Sequence, residues 1–569
     1  MRVIRETISI CPECKQQIDA RVVEENDTIY MRKICPRHGD FEDILAKNAR
    51  YYLWRRGYHH ISKEIVKDPE VAFNSGPYSS QGGEFGLKGC PYDCGICENH
   101  KSATCICLID ITNRCNLKCP ICFANANVTG FVVEPTMKEL REIMEHFRAT
   151  EPMPPVALQL SGGEPTVRDD LPEILEISKE LGFKHRMLTT NGLKFTDIDY
   201  LKEIIDAGMN VTYMQWDSVT DPEVYKQTRG KDLLEKKMKI VENMRELGYK
   251  DLALVPTIAR GVNDHQVGHI LDFAVQNQDV VSCIIYQPIS LCGRITKEEI
   301  RQLRYNASDL FADIDKHTNN LFNGRFYPIP TLSHFVKLLG WFEGVEPFEM
   351  TSHEDCGFAT IGTVEIVDPK DRTKNKLHSI DEFIDIDRLV KTADRVWDFL
   401  KKTNLENKPE VFSKLFGITP TGSKIGSLLD GISHTLLRKG LKYGILANTL
   451  RYLKLGDLNN LTNLSNLRNF ANTIRKLATL IRDPGWKAAA NFLRDQAMLV
   501  SCMHFQDAYN IDTERVSRCL VHYGYYDREL KRVFRVPFCT MNTIHRDRIE
   551  RKNAQYQDQK IPVKVITPQ

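Results

Sequence analysis

The sequence predicts an α/β protein centred on a partial (β/α)6 barrel, with a small metal-binding knuckle before it and a mostly helical, cysteine-bearing region after it. Three observations carry this. Between residues 105 and 300, six short apolar runs alternate with amphipathic helical stretches at the interval of repeated βα units. Within the first 60 residues, CPEC and CPRHG bracket a strand-like stretch at Thr28 to Ile34. Beyond Ile300 the period becomes mostly helical.

The six strand candidates are Leu108 to Thr112, Val156 to Leu160, His185 to Thr189, Asn210 to Gln215, Leu252 to Ile258 and Cys283 to Tyr286. Between them run helical patterns at Met137 to Arg148, Leu171 to Leu181, Ile198 to Ala207, Leu233 to Leu247 and Val267 to Gln276. Such alternation suits a parallel, curved sheet with helices outside and ligand chemistry at the strand C-terminal ends. A chain of 569 residues exceeds one ordinary hydrophobic core. The expected divisions are a mononuclear metal unit at 1–60, a linker and cysteine segment at 61–104, the barrel at 105–300, and a helical substrate and cysteine domain at 301–569.

Asn74 to Gly89, rich in Gly, Pro and Ser, reads as irregular linker. After Ile300 come loops near Tyr327 to Leu332 and a short strand-like piece at Ala359 to Val367. Gly431 to Val500 holds eleven Lys/Arg against three Asp/Glu, with Leu at every third position from Leu458 to Leu467, and reads as a basic amphipathic helical block. The tail after Arg548 is polar and expected to be loose.

A net charge of +2 and a pI near 7.8 give no global pull toward nucleic acid, so no nucleic-acid partner is expected. The opening MRVIRETISI lacks the features of a secretory leader, and no run of about 18 uncharged apolar residues occurs, so the expectation is a cytoplasmic, non-spanning protein. Seventeen cysteines, eight of them at gaps of two or three residues, fit metal ligation better than disulfides.

The most telling group is DITNRCNLKCPICFA, which supplies Cys115, Cys119 and Cys122 directly after a strand. One loop with these gaps can wrap three irons of a 4Fe-4S cluster, and no fourth thiol follows, so one iron is left open for a chelating cofactor. The next strand ends in Ser161, Gly162, Gly163, Glu164, Pro165. Together these resemble the radical S-adenosylmethionine (SAM) superfamily. The resemblance implies a radical SAM barrel in which Gly162, Gly163 and Glu164 meet the methionine amino group of SAM. Asn191 in TTNG and Asp217 in QWDS match more loosely; each is expected to bind SAM or to cap the following helix.

Cys90, Cys94 and Cys97 in GCPYDCGIC repeat the same spacing but follow a Gly-rich loop, with Cys105 near enough in sequence to complete four thiolates. They are read as an auxiliary 4Fe-4S site, a structural zinc being the alternative, with Cys107 an ordinary buried thiol. Cys11, Cys14, Cys35 and His38 have the halves of a zinc-ribbon or rubredoxin-like knuckle, and spacing leaves zinc and iron open. Cys502, Cys519 and Cys539, with Cys356 from HEDCG, are read as a third cluster; Cys292 in SLCGR competes for its fourth position, and Cys283 is unassigned.

The succession of CPEC, CPRHG, GCPYDCGIC, DITNRCNLKCPICFA and the closing cysteine trio is similar to the archaeal tetraether synthase family. That resemblance implies a diether lipid substrate whose isoprenoid termini are joined carbon to carbon, a small electron donor of ferredoxin or flavodoxin type, and peripheral membrane contact. The basic block at 431–500 would then hold anionic headgroups. The alternative is a radical methyltransferase acting on a pterin or another small molecule, with Cys292 as a methyl carrier. A plain electron carrier is disfavoured, because it needs neither an open iron nor the glycine-glycine-glutamate turn.

Overall fold

Four antiparallel strands open the chain: β1 (Arg2–Ile10), β2 (Gln17–Glu25), β3 (Thr28–Cys35) and β4 (Gly39–Ala46), paired in sequence order. In this computed structural model residues 1–58, 89–334, 337, 350–402 and 497–555 are described, apart from 93, 95, 98, 128, 129, 152, 153 and 383. The Asn74 to Gly89 linker up to residue 88, the basic block up to residue 496 and the tail beyond residue 555 lie outside them. Lys15, Asn26 and Asp27 take positive φ at the tips of the two turns, which frees the flanking strands to pair. Ala20, Val22, Ile29 and Met31 form the ribbon's core with Tyr52 of α1 (Ala49–Arg55).

The chain divides into two compact units. The first comprises Met1–Pro328, Thr351–Ala359 and Val500–Gln569. It holds the ribbon and a parallel sheet of β5 (Ile106–Thr112), β6 (Ala157–Gly162), β7 (His185–Thr190), β8 (Val211–Gln215), β9 (Leu252–Val255) and β11 (Val281–Pro288), with β10 (Thr257–Ile258) pairing β11. Neighbours run β5-β6-β7-β8-β9-β11, every pair parallel, as the βα period predicts. The connecting helices are α2 (Met137–Arg148), α3 (Leu171–Glu180), α4 (Ile198–Ala207), α5 (Pro222–Arg229), α6 (Leu234–Glu246) and α7 (Val267–Gln276). Thr136 with Glu139 makes a capping box at α2, and Asp197 and Asp221 cap α4 and α5, so short polar residues stop each loop where its helix begins.

β8 and most of β11 alternate in burial, whereas β9 is buried throughout. Leu158, Leu188, Met214, Leu254 and Ile284 are fully buried on one face, while Gln159, Thr189, Tyr213, Gln215 and Gln287 are only partly buried on the other. That second, concave face is polar: Gln159 donates to Thr189 at 2.8 Å and Gln287 to Tyr213 at 3.2 Å. The register carries it on to β5, because Leu108 pairs with Gln159 and Asp110 with Ser161.

After the barrel come α8 (Lys297–Leu303), α9 (Ala307–His317) and β12 (Tyr327–Pro328), which pairs Phe358 and Ala359 at the start of β13 (Gly357–Glu365). The closing segment contributes strands as well as helices. β16 (Val521–Asp527) runs parallel to β5, and β17 (Arg532–Pro537) pairs antiparallel to β16, so the sheet continues past its first barrel strand. Gly524 is required there, since a Cβ would overlap Phe147 and Ile143 of α2. Ile10, Tyr92, Ala508, Ile511, Val516 and Ile544 form a core that ties the ribbon to this closing segment.

The second unit spans Ile329–Met350 and Thr360–Leu499. Its described part pairs Gly362–Glu365 of β13 antiparallel with β14 (Lys376–Ser379), followed by α10 (Ile386–Lys402). Ile380 and Ile384 pack with Ile361, Ile386 and Leu389. Among the described residues no helix is long and apolar enough to cross a membrane.

Candidate active site and metal centres

The β1–β2 and β3–β4 turns bring Cys11, Cys14, Cys35 and His38 together, with their ligand atoms all within 4.8 Å of one another. His38 Nδ1 lies 3.5 Å from both Cys11 and Cys35 Sγ, and Cys14 and Cys35 Sγ are 3.9 Å apart. Tetrahedral metal–thiolate bonds of about 2.3 Å require ligand atoms at such separations. Burial works against ionising Cys35, but N–H groups of the turn at Arg37 and His38, together with the His38 ring and Cys11, draw its thiol down to about 6. Three thiols and an imidazole converging in this way fit one zinc or iron ion.

The loop after β5 is held by its own side chains. Asn127 accepts from Cys115 N–H at 3.0 Å and donates to the carbonyls of Cys115 and Leu117, at 2.6 and 3.0 Å. Arg294 donates to Cys119 O at 2.6 Å, and its backbone N–H to Cys122 O at 3.1 Å. Gly293, at φ +61°, lies so close that a Cβ would overlap Cys122 and Phe123. Leu117, Tyr225 and Leu233 enclose Cys115 and Cys119 in apolar surface. Burial, and after it Glu164 and the other two thiols, pushes Cys115 well above the usual thiol range. Three half-buried thiols on one loop, of which Cys115 and Cys119 resist ionisation, call for a cationic centre among them, and a 4Fe-4S cluster meets that demand.

Gly162 and Gly163 lie where the end of β6 meets the backbone that leads into the cysteine loop. A Cβ at Gly162 would overlap the Thr112 carbonyl and one at Gly163 the Arg114 carbonyl, because Gly163 N–H donates to Thr112 O at 2.7 Å and Glu164 N–H to Arg114 O at 2.8 Å. The glycines therefore seat the cysteine loop against the end of β6. Glu164 is buried, and its carboxylate accepts from Thr166 N–H and hydroxyl, the Thr190 hydroxyl at 2.7 Å and Asn191 N–H at 2.7 Å. Asn191 donates to Asn116 Oδ1 at 2.6 Å and accepts from Leu193 N–H, which ties the end of β7 to the cysteine loop.

Asp217 is fully buried and its carboxylate is committed. Arg229 donates to it at 2.5 and 2.9 Å, Gln215 at 2.7 Å, Thr228 at 3.1 Å and Thr257 N–H at 3.1 Å. Burial opposes its ionisation, but Arg229 and these donors hold the carboxyl below the usual range. Arg229 in turn hydrogen-bonds Cys119 and opposes the rise that burial imposes on that thiol. Arg229 is a site residue the sequence reading missed; a basic residue in the last turn of a helix reads as ordinary dipole compensation. Lys237 was missed as well. It is buried, donates to Asn191 O at 2.7 Å and Gln215 O at 2.6 Å, and burial pulls its ammonium down to about 7.

The remaining cysteines group differently from their order in the sequence. Cys94 is buried and donates to Pro91 O and the Thr540 hydroxyl, both at 2.9 Å. After burial, the neighbours that raise it are Cys90, Cys97 and Cys519. Cys105, the expected fourth ligand of that group, is raised to about 12 by burial alone, at the entry to β5. Cys356, Cys519 and Cys539 influence one another around the buried Arg515, and Gln506 N–H points at Cys539 Sγ at 3.4 Å. Cys502 lies beside Tyr51 and Arg55, within β15 (Ala497–Met503). Cys292, half-buried and raised to about 12 chiefly by desolvation, is within electrostatic reach of both Cys122 and Cys539. Cys283 is near Tyr213 on the concave face.

Residues 109–274 match the Radical SAM superfamily, and residues 3–47 match the HMPTM N-terminal zinc ribbon domain. A Methanocaldococcus jannaschii protein described as 7,8-dihydro-6-hydroxymethylpterin dimethyltransferase is 35% identical over 549 residues, 96% of this chain and 95% of that one. A probable GTP 3',8-cyclase of Methanothermobacter marburgensis is 29% identical over 187 residues, 33% of this chain and 59% of that protein. Among solved structures, Streptococcus suis SuiB bound to precursor peptide SuiA gives a TM-score of 0.31 at 19% identity, covering 40% of this chain and 47% of that one. These findings correct the lipid expectation. The relative matched along the whole chain is described as acting on a pterin, so the tetraether synthase assignment and its diether lipid partner are withdrawn. The cysteine succession bears on radical chemistry and metal content; it does not touch the substrate, which is why it misled.

Proposed function

This chain belongs to the family of the 7,8-dihydro-6-hydroxymethylpterin dimethyltransferase, within the radical SAM superfamily, and from that premise we propose that it methylates a reduced pterin at carbon. The observation that carries the reading is the likeness along 96% of the chain, ribbon and closing segment included. The polar concave face supports it, because Gln159, Thr189, Tyr213 and Gln287 offer a small heterocycle the hydrogen-bonding groups that an alkyl chain has no use for.

When bound, the superfamily's 4Fe-4S cluster and SAM supply a 5′-deoxyadenosyl radical, fed by an external one-electron donor. Cys115, Cys119 and Cys122 would hold that cluster, Arg229 would steady the Cys119 thiolate, and Gly162, Gly163, Glu164 and Asn191 fix the loop at the strand ends that would receive SAM. Asp217 acts through Arg229. Cys90, Cys94 and Cys97 form a second cluster site, Cys356, Cys519 and Cys539 a third, and Cys11, Cys14, Cys35 and His38 a mononuclear one. In the proposed reaction a pterin C–H bond would give its hydrogen atom to the 5′-deoxyadenosyl radical, and the carbon, with one further electron from the external donor, would bond to a methyl group released as a cation equivalent by a one-carbon donor such as SAM.

The test is anaerobic incubation of the reconstituted enzyme with reductant, SAM labelled in its methyl group and 7,8-dihydro-6-hydroxymethylpterin, followed by mass spectrometry. Methylated pterin is expected, and the label reads out whether SAM is the methyl donor. Formation of 5′-deoxyadenosine with the pterin recovered unchanged contradicts the reading.

A further inference from the structure

At the edge of the concave face, where β16 joins β5, lies a cavity of about 60 Å³ bordered by Asp110, Gly162, Gly163, Tyr523, Tyr525 and Arg546. The register orders it in depth. Asp110 pairs with Ser161, while Thr112, two residues further along β5, pairs with Gly162. Asp110 is thus the floor, and the Gly162–Gly163 turn beside the cysteine loop is the mouth.

The floor is electrostatically unfinished. Arg546 donates to Asp110 Oδ2 at 2.7 Å and to Glu550 at 2.9 Å, and its other nitrogens are engaged by Asn542 at 3.0 and 2.9 Å. Two carboxylates therefore share one guanidinium. Asp110 Oδ1 is buried and has no hydrogen-bond donor. A buried acceptor without a partner is costly to leave unmet, so such an atom in a cavity wall marks a place for an N–H donor from outside.

We propose that this cavity takes the aminopyrimidinone edge of the pterin, with its C2 amino group and ring N3–H donating to Asp110 and its plane held between aromatic walls that include Tyr523. The inference rests on the pterin reading above and deepens it. The space admits the edge of one ring and not the whole bicycle. The second ring, with its substitutable carbons, is left toward Gly162 and Gly163 on the cysteine-loop side, where a radical formed from SAM would reach it. A carboxylate facing two parallel N–H donors discriminates sharply, since an analogue with a carbonyl in place of the amino group turns a donor into an acceptor against an anion.

Fluorescence titration of the reconstituted full-length enzyme tests this, using 7,8-dihydro-6-hydroxymethylpterin and its 2-oxo (lumazine-type) analogue. The parent enzyme should bind the pterin at least about tenfold more tightly than the analogue, and Asp110→Asn should weaken pterin binding by a similar factor while narrowing that preference. The analogue comparison needs no variant, so it holds even if Asp110→Asn folds poorly; iron content and circular dichroism monitor the variant. Equal binding of pterin and analogue by the parent, or undiminished pterin binding by a folded Asp110→Asn, overturns the pocket and leaves the pterin reading standing. Absence of pterin binding by the parent overturns both.

Discussion

Two loops in this chain share one cysteine spacing and differ in nearly everything around it. Cys90, Cys94 and Cys97 precede β5, on the side of its N-terminal end, and pack into the closing segment through Thr540 and Cys519. Cys115, Cys119 and Cys122 follow β5 at its C-terminal end, braced by Asn127 and Arg294, with Arg229 on Cys119 and the Gly162–Gly163 turn beneath. Spacing determines whether a loop can wrap a cluster. Position on the sheet, and whether a charged partner stands by, determines what such a cluster can do.

The sharpest way to break the comparison is to remove one thiol from each loop. Cys119→Ala is expected to reduce 5′-deoxyadenosine formation to background, while Cys94→Ala keeps it within about tenfold of the parent and loses one cluster's signal by electron paramagnetic resonance. Equal loss in both variants would erase the distinction.

Next in size is the ion pair behind the second loop. Arg229→Gln strands the buried Asp217 carboxylate and should cost about 3–5 kcal/mol in denaturant unfolding, whereas Asp217 and Arg229 replaced together should cost less than the two single changes summed. The pair also carries an acid limit. Since Asp217 is held below its ordinary value of about 3.9, its contribution is complete above that pH and disappears as pH falls through the folded-state value; stability profiles of the parent and Asp217→Asn should converge in strong acid.

A smaller effect is expected at the ribbon. Cys35→Ser should lower mononuclear metal content by one ion per chain, measured by elemental analysis, with 5′-deoxyadenosine formation falling no more than about threefold. Smallest is a local pH effect in the second unit. Hydrogen bonds to Glu382 and Glu365 raise His378 against the burial that lowers it, so its support of the β13–β14 pair is present below its ordinary value of about 6.5 and fades as pH rises through the folded one. Under about 1 kcal/mol is at stake, visible as faster amide exchange at Gly362–Glu365 at higher pH.

The barrel was legible because its signal is local. The helix from Ile198 to Ala207 shows its apolar period and the strand from His185 its β-rich run within a few residues, and the structure bounds them nearly where the pattern does. The contribution of Val521–Asp527 to the same sheet was not legible, since pairing with β5 joins residues more than four hundred positions apart. The neighbours of a thiol were not legible either: Cys519, more than four hundred positions along the chain from Cys94, stands near enough to raise it. Cys502 reads as loop in SCMHFQD but sits on a strand beside Arg55. The substrate left the weakest trace, because it depends on a few polar side chains spread over several strands.

The central claim is that the radical generated at the Cys115–Cys122 loop takes its hydrogen from a pterin. Reductive turnover of the reconstituted enzyme with 7,8-dihydro-6-hydroxymethylpterin deuterated at its C–H positions measures this directly. Deuterium appearing in 5′-deoxyadenosine together with a methylated pterin is the predicted result; 5′-deoxyadenosine free of deuterium, beside unaltered pterin, would contradict it.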